Sequence, residues 1–155
     1  MPTLKWIGLR PERKGKINVV KEVEVNATGL VGDRYDIEFG NRNVTLIRQE
    51  GLDDAWNKLG KDGKVDPALA RRNLVLEGLN PDLKKMKGDL IQIGNAVVLE
   101  VTGYCHPCSR MEASFGPGGL KAMAGHGGLT AKVIKMGVVR VGDQVVRSIP
   151  GHEKG

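Results

Sequence analysis

The sequence is poor in aromatic residues, which account for 4% of its 155 positions. Its core must therefore be mostly aliphatic, and few rings are present for the base stacking on which single-strand nucleic-acid binders depend. Cysteine occurs only twice, so the disulfide framework of a small secreted domain is excluded. No apolar run approaches the ~20 residues that span a bilayer, and no basic, apolar leader opens the sequence. These absences predict a single cytoplasmic domain with no nucleic-acid partner and no membrane partner.

Glycine and short aliphatic runs are abundant instead. The chain has 22 glycines, and runs rich in valine, leucine and isoleucine recur at short intervals. Gly94-Asn95 and Gly142-Asp143 separate such runs and predict tight turns, because both pairs tolerate positive φ. The strand-like segments are 4–9, 17–25, 44–47, 74–76, 90–93, 96–101, 129–134 and 138–146. Many short strands with glycine turns indicate a mainly β, strand-rich and barrel-like domain.

A few short helices are expected between these strands. Leu52, Trp56 and Leu59 recur at helical spacing, which predicts a helix over residues 49–59 with these side chains packed inward. Asp66-Pro67 is a typical helix start, because the carboxylate can cap the first turn and the proline ring is pre-organised for it.

Both cysteines lie in Cys105-His106-Pro107-Cys108, directly after a predicted strand. Because a nearby cation stabilises the reactive thiolate, Arg110 marks Cys108 as the more reactive thiol. Three interpretations stay open: a cysteine that transfers sulfur or ligates a cofactor, a Cys-X-X-Cys dithiol oxidoreductase, and half of a zinc site. A zinc site needs about four ligands. The histidines that could complete one are scattered, at His106, His126 and His152.

Three further motifs supply candidate ligand contacts. Arg34 follows a Gly-Asp turn, and the adjacent Arg71 and Arg72 precede Asn73 and a strand. Two crowded guanidiniums favour an anion, since arginine binds phosphate through paired hydrogen bonds. His126 stands between glycines, where little in the local sequence could bury it, and it could carry a proton or contact an anion. The alternative for each motif is a plain turn or a solvated surface arginine. The net charge of +6 adds a general attraction for an anionic ligand.

The order of these motifs resembles that of the MOSC domain, which occurs at the C-terminus of molybdenum cofactor sulfurases. The resemblance covers roughly residues 17–146. The matching motifs are Gly32-Asp33-Arg34, Val44-Thr45-Leu46-Ile47, Arg71-Arg72-Asn73-Leu74-Val75, Gly88-Asp89, Ile93-Gly94, Pro107-Cys108 and Gly142-Asp143. The resemblance implies one barrel-like MOSC domain over residues 1–150. The tail at 151–155 has no apolar side chains, so we expect it to fray.

The resemblance also implies a function for the cysteine loop. Cys108 would carry sulfur or ligate molybdenum, and molybdopterin would be the cofactor. Cys105 is an additional thiol, for which a resolving role stays open. Candidate partners are a cysteine desulfurase and a molybdoenzyme. The chain would act as a sulfur transferase or as a component of a molybdenum-cofactor-dependent reductase. The alternatives are a non-catalytic module that binds pterin or another anion, and a dithiol oxidoreductase.

The arginine motifs take their expected role from the same resemblance. The expected cofactor contacts are Arg34, Arg71, Arg72, Asn73 and His126. Among them, Arg34, Arg72 and Asn73 match anion- and pterin-contacting positions of the family. We expect these three to line one concave, positively charged pocket with Cys108 at its edge.

Overall fold

The computed structural model describes residues 2–12, 15–79 and 82–149, which form eleven strands, three α-helices and two short 3-10 helices. The strands are β1 (Thr3–Leu9), β2 (Asn18–Val20), β3 (Glu22–Asn26), β4 (Gly29–Leu30), β5 (Val44–Arg48), β6 (Leu74–Glu77), β7 (Leu90–Ile93), β8 (Val97–Tyr104), β9 (Leu129–Lys135), β10 (Gly137–Arg140) and β11 (Val145–Ser148). The helices are α1 (Gln49–Lys58), α2 (Ser109–Phe115) and α3 (Gly119–Ala122), and the 3-10 helices are Pro67–Ala70 and Leu83–Met86. The expected tail, with His152, lies outside the described residues. None of the helices described is long and apolar enough to cross a membrane.

Eight strands form one large sheet in the order β11-β7-β8-β9-β5-β6-β1-β2, and β10, β3 and β4 form a smaller one. The start of β1 also bonds to the turn before β11. The Leu4 amide donates to the Asp143 carbonyl at 2.9 Å, and the Gly142 amide donates to the Leu4 carbonyl at 2.7 Å. The mainly β prediction is confirmed, and the large sheet curls until its ends approach. Within the described ranges, however, its strand ladder does not close into a barrel.

One pair of neighbouring strands in the large sheet is parallel. β5 and β6 run side by side in the same direction, with Leu46 opposite Leu74, because α1 and the 3-10 helix Pro67–Ala70 carry the chain back between them. Val44 and Leu46 pack into the core inside the curled sheet, whereas Ile47 packs under the helices. Since β5 is buried on both faces, three of its first four residues are apolar and they do not alternate with polar ones.

The predicted helix α1 is confirmed, and its inward face is confirmed in part. Leu52 is fully buried, but Trp56 and Leu59 are only half-buried against the same apolar cluster. The Trp56 indole N–H donates to the Asp62 carbonyl at 3.2 Å, which holds the ring at the edge of the helix. The predicted helix start at Asp66 is also confirmed, since its carboxylate accepts the Ala68 amide at 3.0 Å.

Candidate functional site

A small cavity lies beside the 3-10 helix Pro67–Ala70 and the start of α2. Its volume is about 180 Å³. It is lined by Arg10, Arg34, Arg42, Leu69, Ala70, Arg71, Arg72, Cys108, Arg110 and Met111. Six of these ten residues are arginines, and none of the ten carries a carboxylate. The cavity therefore concentrates positive charge beside a thiol.

Four of the site residues expected from the sequence lie together in this lining: Arg34, Arg71, Arg72 and Cys108. Asn73 and His126 are not among the lining residues. Sequence reasoning missed Arg10 and Arg42 as cavity residues, and it considered Arg110 only as a neighbour of Cys108. Arg10 reaches the site because β1 pairs with β6, which sets the Gly8 amide 2.7 Å from the Asn73 carbonyl.

The backbone at Arg71 explains how two adjacent arginines take different directions. Arg71 ends the 3-10 helix with φ 55° and ψ 37°, in the left-handed region that bulky residues rarely adopt. Its guanidinium then donates to the Gly15 carbonyl at 2.7 Å, whereas the Arg72 Nε–H donates to the Gly127 carbonyl at 2.8 Å. A strained non-glycine residue at a cavity wall is an observation that favours a functional role.

Arg10 is fixed by an acid behind the cavity wall. The Asp33 side chain, which is only 1% exposed, bonds to Arg10 Nε and Nη2, both at 3.2 Å. Asn73 Nδ2 also donates to the Asp33 carboxylate, at 3.1 Å. Burial pushes the pKa of Asp33 upward, but the hydrogen bonds and charge of Arg10, helped by Asn73, outweigh burial and hold that pKa below its ordinary value. The Asp of the Gly-Asp-Arg motif thus orients a cavity arginine.

Asn73 joins three strands at the base of the site. It is fully buried. Its Oδ1 accepts the Thr45 amide at 3.0 Å and the Thr45 hydroxyl at 3.2 Å, while its Nδ2 donates to the Gly8 carbonyl at 3.0 Å. These bonds tie β5 and β1 to the start of β6, so Asn73 supports the arginines from below. Direct contact between Asn73 and a ligand stays a prediction.

Asp33→Asn should make folding stability less sensitive to acid. Because the folded-state pKa of Asp33 lies below the ordinary 3.8, its stabilisation is present above that pH and is lost as the pH falls through the lower folded-state value. We expect Asp33→Asn to lower the free energy of unfolding by about 3 kcal/mol at neutral pH, and by much less in acid. Urea unfolding from neutral to acid pH measures the loss of unfolding free energy at each pH. Asp62→Asn, at an exposed loop carboxylate, is the control, and an equal loss at all pH values would contradict the prediction.

Two arginines of the cavity, Arg71 and Arg72, have pKa values below the ordinary value for arginine. Burial is the main cause that lowers the pKa of Arg71, and the charges of Arg110, Arg10 and Arg34 lower it further. Burial also lowers the pKa of Arg72. The charges of Arg10 and Arg42 lower that pKa further, whereas either cysteine, when ionised, would raise it. Arginine nevertheless stays protonated in proteins, so the cavity holds positive charge that an anion would stabilise.

The two cysteines are both free and differ in burial. Cys108 is exposed at the start of α2, whereas Cys105 is 7% exposed and its amide donates to the Gly128 carbonyl at 2.7 Å. Both lie near enough to influence the charge of Arg72. No cluster of three or more His, Cys, Asp or Glu that could hold a metal occurs among the described residues. The zinc interpretation therefore gains no support.

His126 is not a core histidine, as its sequence context predicts, but it lies against α1 and is only partly exposed. Its side chain is 19% exposed, and its Nε2 lies 2.9 Å from the Asp54 carboxylate. Gly51 of α1 packs so tightly over the ring that an added Cβ would lie 2.9 Å from Nδ1. A hydrogen bond from Lys58 first, and from His126 second, holds the pKa of Asp54 below its ordinary value. The burial comes from a helix distant in sequence, which local glycines cannot reveal.

Comparison with known proteins agrees with this architecture. The YuaD protein from Bacillus subtilis superposes with a TM-score of 0.78 at 17% identity, covering 96% of this chain and 97% of that one. YiiM from Geobacillus stearothermophilus gives a TM-score of 0.76 at 19% identity, covering 98% of this chain and 77% of that one. YiiM from Escherichia coli gives a TM-score of 0.65 at 19% identity, covering 95% of this chain and 71% of that one. These likenesses show a shared fold.

The family assignment comes from the sequence. No curated protein matches the chain. The family model described as the MOSC domain matches residues 26–146. That segment contains most strands of the large sheet and nine of the ten residues that line the cavity. The chain therefore belongs to the MOSC domain family, which is linked in general to the molybdenum cofactor.

Proposed function

We propose that the arginine cavity binds the anionic end of a pterin cofactor of the molybdopterin type, and that Cys108 carries sulfur or ligates molybdenum beside it. The observation that carries this proposal is the cluster of six arginines with no carboxylate in the lining. Burial and the charges of neighbouring arginines disfavour the charge of Arg71 and Arg72, so a bound anion gains more here than at a solvated surface.

The size of the cavity fits the end of such a ligand and not the whole of it. Pockets that enclose a complete small molecule usually measure about 300–1,000 Å³, whereas this cavity measures about 180 Å³. A more open depression of about 320 Å³ shares Arg71 and Arg110 with it and offers room for the remainder. We therefore assign a phosphate-sized group to the cavity and a ring system to the adjoining depression.

In this proposal, the arginines bind the anion and Cys108 carries out the sulfur chemistry. Arg10 and Arg72 are partly buried and would hold the anion, while the exposed Arg34 and Arg42 would guide it in. When bound, the cofactor would supply a thiolate-binding metal, for which the soft sulfur of Cys108 is a suitable ligand.

In the sulfur-carrying mode, the donor is a persulfide such as that of a cysteine desulfurase. The Cys108 thiolate attacks the terminal sulfur of that persulfide, a new S–S bond forms on Cys108, and the donor leaves as a thiolate. The exposure of Cys108 admits such a partner. A molybdoenzyme is the proposed recipient of the sulfur or of the cofactor.

Matched charge reversals test the proposal. Protein from a host that makes the cofactor should contain molybdenum and pterin, and inorganic phosphate should bind to the empty protein in calorimetry. Arg110→Glu, in the cavity, should weaken phosphate binding by more than about tenfold and lower the pterin content. Arg140→Glu makes the same change in net charge on β10 and should leave both unchanged. Equal losses would show that net charge alone is responsible.

A further inference from the structure

We infer that His126 is a positioning residue, which holds Arg72 and the cysteine loop in place from outside the cavity. Its role as part of a cofactor site rests on the proposed function, because Arg72 belongs to the proposed anion site. The contact that carries the inference is the bond between His126 Nε2 and the Asp54 carboxylate, at 2.9 Å. This hydrogen bond connects the segment before β9 to helix α1.

The segment that follows His126 bonds to both parts of the site. The Gly127 carbonyl accepts Arg72 Nε–H at 2.8 Å, and the Gly128 carbonyl accepts the Cys105 amide at 2.7 Å. Two consecutive carbonyls therefore accept hydrogen bonds from Arg72 in the cavity and from Cys105 in the cysteine loop. A displacement of His126 would move both acceptors together.

Arg72 depends on this segment for its direction. Its hydrogen bonds within the described structure go to the Gly127 carbonyl and, at 3.3 Å, to the Ala70 carbonyl. Arg10, in contrast, is fixed by the carboxylate of Asp33. A guanidinium held only by carbonyls takes its orientation from wherever those carbonyls lie.

The packing around His126 leaves the segment little freedom of its own. An added Cβ at Gly127 would lie 2.0 Å from the Cys105 carbonyl oxygen, so the backbones of the two loops are in direct contact. The His126 amide also donates to the Met123 carbonyl at 2.8 Å, just after α3. The side-chain bond to Asp54 completes the connection from α1 through residues 126–128 to the site.

The decisive measurement is hydrogen exchange of the Arg72 Nε–H and the Cys105 amide, followed by NMR. His126→Ala should accelerate both by more than about tenfold, because each bond opens more often. His126→Gln should restore slow exchange, since its amide can still donate to Asp54. Asp54→Ala breaks the same link from an exposed position and should match His126→Ala. Asp53→Ala changes the neighbouring exposed carboxylate and should have no effect.

Phosphate binding gives the functional readout. His126→Ala should weaken binding roughly fivefold, and His126→Gln should recover it. In an Arg72→Lys background, His126→Ala should add little, because its effect passes through Arg72. Unchanged exchange at Arg72 in both His126→Ala and Asp54→Ala would overturn the inference, as would an undiminished effect in the Arg72→Lys background. If the unaltered protein binds no phosphate, the proposed function fails, and the exchange data still decide the role of His126.

Discussion

Cys108→Ala is expected to reduce sulfur loading and molybdenum retention to background, while Cys105→Ala keeps most of either. Cys108 lines the arginine cavity and is exposed, so a persulfide donor or a metal can reach its sulfur. Cys105 is buried and is absent from the lining. Intact-mass spectrometry after treatment with a persulfide donor measures sulfur loading, and metal analysis of protein from a cofactor-producing host measures retention.

Thiol labelling of the two single variants compares how readily a reagent reaches Cys108 and Cys105. Cys108, in Cys105→Ala, should react at least roughly tenfold faster than Cys105 in Cys108→Ala, because a buried thiol reacts only when its loop opens. Circular dichroism of both variants serves as the folding control. Equal loss of sulfur loading in the two variants, together with a reversible intramolecular disulfide, would contradict the prediction and favour a dithiol oxidoreductase.

Local signals in the sequence were sufficient for the secondary structure that frames the site. Three signals each act over a few residues: the largely apolar sequence of β5, the helical spacing of Leu52 and Trp56, and the capping carboxylate of Asp66. Such patterns depend on backbone geometry and burial, which neighbouring residues largely determine. The cysteine loop and the paired arginines were also visible, because chemically unusual residues stand out at short range.

The composition of the cavity could not be predicted in the same way. Arg10 lies beside the site because β1 pairs with β6 in one register, and Asn73 bonds to it across 63 positions of the sequence. Arg72 and Asn73 are adjacent, yet Arg72 lines the cavity and Asn73 is fully buried among β1, β5 and the start of β6. His126 likewise owes its burial to α1. Register and long-range packing decide these placements.

Arg72→Ala is expected to produce the largest loss of anion binding among single arginine replacements. Arg72 is partly buried, the charges of Arg10 and Arg42 act on it, and its lowered pKa reflects burial first. A charge-assisted hydrogen bond in such a place contributes about 2–3 kcal/mol. The expected effect is therefore a roughly 30- to 150-fold weaker affinity for inorganic phosphate, measured by calorimetry.

Arg42→Ala is the matched control for this replacement. Arg42 lines the same cavity but is exposed at its rim, where solvent weakens its attraction for an anion, so we expect a loss of about threefold or less. The two variants remove the same charge, and any difference between them measures burial and orientation. Raising the salt concentration should reduce the Arg42 effect and leave most of the Arg72 effect, because buried charges are screened less. If both variants weaken phosphate binding equally and both effects vanish in salt, the cavity acts only as a diffuse basic surface. The proposal of a specific anion site would then be wrong.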